Sequence, residues 1–102
     1  MPRLIVLYNM PEDTDAFDAH YREVHTPIVQ GYPKLRDLKT CKPDGVGGRP
    51  SPYYLMAEMT FDSDADLQEA LQSEAGAASA RDLRTFAGGG VTLFVAHDGA
   101  DA

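Results

Sequence analysis

From Leu4 to Asn9 the chain reads LIVLYN, a run of branched and aromatic residues stopped by Met10-Pro11. Proline cannot donate to a sheet ladder, so the pattern predicts a buried first strand with a defined end. The period then changes. Phe17, Tyr21, Val24, His25 and Ile28 fall at i, i+4, i+7, i+8 and i+11 and share one face of a helix. Asp13 is placed to cap that helix, and Asp15 adds favourable charge at its positive end. Pro27 predicts a bend or stop nearby, completed by Gly31 and Pro33.

Leu35–Lys42 mixes apolar and charged residues between turn signals and predicts a second strand. Pro43–Pro52, with three glycines and three prolines, predicts an exposed connection. Tyr53–Phe61 alternates: Tyr53, Leu55, Ala57, Met59 and Phe61 form one face, and Tyr54, Met56, Glu58 and Thr60 the other. Ser63 and Asp66 make a partial capping box for a helix with the stripe Leu67, Ala70 and Leu71, which Gly76 is expected to terminate. A shorter helix to about Phe86 and a last strand, Val91–Ala96, follow.

The order β-α-β-β-α-β is a split βαβ arrangement of class α+β: a four-stranded antiparallel sheet with helices on one face. Its other face would present Tyr54, Met56 and apolar neighbours to water, and a patch of that kind marks a partner or a ligand. Two such sheets facing each other would cover both patches and enclose a cavity.

Composition narrows the reading. At 102 residues the chain is one domain, assigned to residues 1–98, with a short tail at 99–102. A net charge of -7 disfavours binding to nucleic acid or to anionic lipid surfaces. Cys41 is the only cysteine, which excludes an internal disulfide and fits a cytoplasmic setting; as a lone thiol it is expected to be buried. Leu4–Tyr8 is too short to cross a bilayer, and the start carries no signal-like segment.

The candidate chemistry centres on His25, which points the same way as an apolar stripe. An imidazole can take and give a proton near neutrality, so His25 is the candidate general acid or base. Glu58 and Tyr21 are candidates to act with it. Tyr8, Tyr54, Met56 and Thr60 are candidates to contact a substrate, the tyrosines as hydrogen-bond donors to a developing oxyanion. The bland alternative is a packed histidine bonded to a backbone carbonyl, with Glu58 paired to a lysine or arginine. His20 and His25 are five residues apart, about 140° around a regular helix, so they are not expected to share a metal. No metal-ligand spacing occurs, and neither a metal nor another cofactor is expected. His97 reads as a solvated strand-end residue, and Asp64, Asp66 and Glu69 as a solvated first turn. Gly45–Gly48 and Gly88–Gly90 lack the strand-to-helix context of a phosphate loop.

Phe17–Pro27, FDAHYREVHTP, resembles the Phe-x-x-Tyr-Trp-x-x-x-His-x-Pro signature of EthD-domain proteins, with His20-Tyr21 where that family usually carries Tyr-Trp. Ala57–Ser63 is similar to the family's Glu-x-x-Phe-Asp-Ser junction, and Ser73-Glu74 and Asp82–Phe86 to its later elements. The resemblance covers Leu4–His97. It implies a ferredoxin-like homodimer of the dimeric α+β barrel superfamily, with a pocket between sheet and helices in each protomer. It also implies relatives that act on small, often aromatic or lactone-like compounds without a cofactor, some associated with xenobiotic breakdown. The function expected is therefore a cofactor-independent lyase, isomerase, cyclase or oxygenase working by proton transfer on a small apolar carbonyl, lactone or phenolic compound. The alternatives are a non-catalytic dimeric protein holding an apolar ligand and a quinol-type cofactor-free monooxygenase. The latter's better-known branches use a pocket tryptophan, and this chain has none.

Overall fold

A computed structural model of the protein describes residues 1–99. Residues 100–102 of the expected tail lie outside the described residues. The elements are β1 (Arg3–Asn9), α1 (Thr14–His20), a π-helical segment (Tyr21–His25), α2 (Thr26–Gln30), β2 (Asp37–Cys41), β3 (Tyr53–Thr60), α3 (Asp64–Gln72), α4 (Glu74–Phe86) and β4 (Val91–Ala96), with a short 3-10 turn at Val46–Gly48. The strands form one antiparallel sheet in the order β2-β3-β1-β4. All helices pack on one face, as the β-α-β-β-α-β pattern requires.

Alternation sets the two faces. Leu4, Val6 and Tyr8 of β1 and Leu55, Ala57 and Met59 of β3 turn inward and form the core with Phe17, Val29, Leu67, Ala70 and Phe61. The intervening residues, Ile5, Leu7, Met56, Glu58 and Thr60, lie on the open face with Phe94 of β4, which is 45% exposed. Tyr54 departs from the expected alternation. Tyr8 pairs with Leu55 while Asn9 pairs with Tyr53, so Tyr54 is an inserted residue at a bulge. Its ring meets Phe17 edge-on, with a centroid separation of 5.4 Å, and therefore belongs to the helical side.

Helix punctuation follows the sequence in part. Asp13 caps α1 by accepting from the Ala16 N–H, and Ser63 caps α3 by accepting from the Asp66 N–H. Gly76 does not end a helix. Helix α3 stops at Gln72, Ser73 caps α4 through the Gly76 N–H, and α4 is the longer helix, with 13 residues against 9. Gly76 is needed for closeness: a Cβ there would lie 2.4 Å from the Ala70 carbonyl oxygen and 2.5 Å from that of Leu71. Pro27 does not end the helical run either: the wide π turn just before it absorbs the interruption and the chain resumes as α2, with Pro27 in its first turn. Cys41, expected inside, is exposed near the end of edge strand β2. No helix among the described residues is long and apolar enough to cross a membrane.

Candidate functional site

The site is built on the π segment. In an α-helix, His20 and His25 would face apart. Here the Thr26 N–H donates to the Tyr21 carbonyl, an i→i−5 bond, and the wider turn brings residues five apart onto one side. Both imidazoles then reach a single carboxylate. His20 Nε2 lies 2.7 Å from Asp82 Oδ1, and His25 Nδ1 lies 2.9 Å from Asp82 Oδ2. An ionised carboxylate only accepts, so each ring presents an N–H to it. With Nδ1 engaged, Nε2 is the nitrogen that His25 has left for a ligand.

His25 borders a cavity of about 60 Å³ between the sheet and the helices, lined by Tyr8, Tyr21, Tyr32, Met59 and Leu83 among others. Its walls are almost wholly apolar. That volume takes roughly four water-sized spheres, so a larger ligand requires side chains to move aside. His20 lines an open cleft with Glu12, Asp13, Phe17 and Phe86. The Phe86 ring touches both imidazoles: it stacks on His20 at 4.7 Å and tilts against His25 at 4.9 Å.

Burial governs the electrostatics. Desolvation pulls the His25 pKa below its ordinary value, outweighing the opposite pull of Asp82, and favours the neutral ring. Burial alone would raise Asp82, but hydrogen bonds from His20 and His25 outweigh it and hold the carboxyl below its ordinary range. Tyr21 is pushed up to about 12 by burial, and Tyr8 and Tyr32 are raised for the same reason. These phenols stay protonated and can donate.

The structure brings together only some of the residues singled out from the sequence. His25, Tyr21 and Tyr8 share the cavity. Glu58 does not join them: it lies on the open face, 3.1 Å from Arg3 Nη1, and Asp82 is the carboxylate beside His25. Met56 and Thr60 are on that same open face, so the expected cavity between facing sheets and the cavity that His25 borders are on opposite sides of the sheet. Tyr54 donates to Asp18 at 2.9 Å beneath Lys42, whose Nζ sits 3.5 Å from the ring centroid. His97 is a solvated strand-end residue near Asp64. Asp66 and Glu69 are drawn to Lys34 rather than left free. Sequence reasoning missed the role of Asp82. The available signal was its place in the Asp82–Phe86 element, but nothing local says that α4 lies against the π segment.

Residues 9–90 match the EthD domain family. The chain belongs to the EthD family. This EthD chain is 39% identical over 93 residues to an uncharacterised 11.0 kDa protein in the thcB–thcC intergenic region of Rhodococcus erythropolis, covering 91% of this chain and 90% of that one. It is 41% identical to a crystallised EthD family protein from Bacillus halodurans C-125, with a TM-score of 0.89 over 96% of this chain and 98% of the other. A dimeric ferredoxin-like protein of unknown function from Thermobifida fusca shares the fold at 10% identity, with a TM-score of 0.68 over 92% and 87% of the two chains.

Proposed function

We propose that this EthD protein is a cofactor-independent enzyme in which His25 Nε2 removes a proton from a small apolar carbonyl, lactone or phenolic compound. One observation carries the reading: a buried histidine, oriented by a carboxylate through Nδ1, borders an apolar cavity. A neutral imidazole can accept a proton, Asp82 stabilises the imidazolium that forms, and the Tyr8 and Tyr21 hydroxyls can donate to the developing enolate or phenolate oxygen. The apolar walls favour a ligand with few polar groups. The assembly that fits is a homodimer through the open sheet face, where Leu7, Met56 and Phe94 otherwise meet water.

The test is deuterium exchange in D2O over a panel of enolisable ketones, lactones and phenols, followed by NMR at the acidic C–H. Wild-type protein is expected to exchange at least one compound, and His25→Ala to slow that exchange by about 10²–10⁴-fold while keeping its fold. Exchange undiminished in the folded variant refutes the mechanism. The small volume of the cavity favours a second reading, a dimeric binding protein. Tight binding of a panel member with no exchange in any of them supports that one.

A further inference from the structure

We propose that His20, Asp82 and His25 form one charge-coupled unit between the apolar cavity and the open cleft: when His25 takes a proton from a ligand, His20 releases one to the cleft. The coupling concerns how the site described above keeps its charge constant when it takes a proton, and its use in catalysis rests on that reading of His25. The three groups are in unbroken contact, at 2.7 and 2.9 Å. Their side-chain exposure falls from 27% at His20 to 10% at Asp82 and 4% at His25, so one end meets water and the other does not.

The charge arithmetic is what couples them. One carboxylate can neutralise one imidazolium, and a second would leave uncompensated positive charge among Tyr8, Tyr21 and Phe86. The pair therefore holds one extra proton between two rings and titrates as a unit. In the exchange, the ligand's C–H or O–H bond breaks and leaves its electron pair on the ligand. The proton joins His25 Nε2, and the Nδ1 proton of His20 leaves to water in the cleft. His20 Nε2–H and His25 Nδ1–H remain on Asp82 throughout, so the net charge of the trio is unchanged and no protein bond rearranges. His25 is reset when its Nε2 proton returns to the ligand or product in the cavity and His20 takes one up again from the cleft.

The other titratable groups facing the pair are Tyr8 from β1, Tyr21 from the π segment and Tyr32 after α2, all lining the cavity, and Glu12 and Asp13 beside His20 in the cleft. The tyrosines do not titrate near neutrality, since burial raises all three.

The test is a pH titration of the imidazole nitrogens in the 15N-labelled full chain. Wild-type His20 and His25 are expected each to show an inflection at the other's midpoint. In His20→Gln, whose amide can still donate to Asp82 but cannot become charged, His25 should titrate in one step and at higher pH than in the wild type. Independent single-step curves in the wild type, or the same His25 curve in both proteins, overturn the proposal. The wild-type measurement alone decides if the variant does not fold. Because the titration needs no turnover, its failure is separate from that of the mechanism: uncoupled histidines with exchange lost in His25→Ala sink only the coupling, and coupled histidines with exchange retained sink only the base.

Discussion

Replacing Asp82 tests whether the carboxylate holds the π segment to α4. It accepts hydrogen bonds from His20 and His25 at 2.7 and 2.9 Å. A hydrogen bond to a charged partner contributes about 1.5–3 kcal/mol and a neutral one about 0.5–1.5 kcal/mol. In Asp82→Asn, the one carbonyl can accept from buried His25, while half-buried His20 can change tautomer and accept from the amide. Both contacts survive in neutral form, and the loss is about 2 kcal/mol, roughly thirtyfold in the folding equilibrium. Asp82→Ala removes both and leaves the His25 N–H buried without a partner, for a loss of about 3–5 kcal/mol.

The assay is urea unfolding at about pH 8 and again at lower pH. His25 has a folded pKa below its unfolded value, so its contribution is fully present above about pH 6.5 and is lost as pH falls through the folded value. Asp82, also lowered, adds a second loss below its ordinary pKa of 3.8. In Asp82→Asn the first loss should extend to lower pH, because the carboxylate no longer supports the imidazolium. A variant as stable as wild type at pH 8, with the same pH dependence, refutes the reasoning.

Two further substitutions probe the frame of the site. Gly76→Ala would gain up to about 1 kcal/mol in helix propensity, but its Cβ meets backbone oxygens that can retreat only if α3 and α4 separate. A net loss of about 1–2 kcal/mol by urea unfolding is expected. Exposed Ala77→Gly serves as the propensity control, and a stabilised Gly76→Ala would show the close approach to be unimportant. Phe94→Asp places a charge on the open sheet face and should convert a sedimenting dimer to a monomer with unchanged circular dichroism. A monomeric wild type, or a variant that still dimerises, refutes the open-face interface.

The fold was legible because its signals are local. The period-2 alternation of Tyr53–Phe61, the 3.6 period after Asp13 and the proline and glycine stops each follow from side-chain direction and backbone sterics within a few residues. Errors arose where a local rule met a tertiary demand. Gly76 reads as a stop, but the contact between α3 and α4 requires a residue without a Cβ. Tyr54 reads as open-face, but a bulge against β1 turns it toward Phe17.

The sequence by itself determined the order of elements, the two faces of Tyr53–Phe61 apart from Tyr54, and the singling out of His25, because an imidazole on an apolar stripe is visible from spacing alone. Tertiary structure decided its partner. Glu58 and Asp82 are both far from His25 in sequence, and only the packing of α4 against the helical face makes one a neighbour and leaves the other across the sheet with Arg3. It also decided that His20 belongs to the site. A regular helix separates residues five apart, and one π turn joins them.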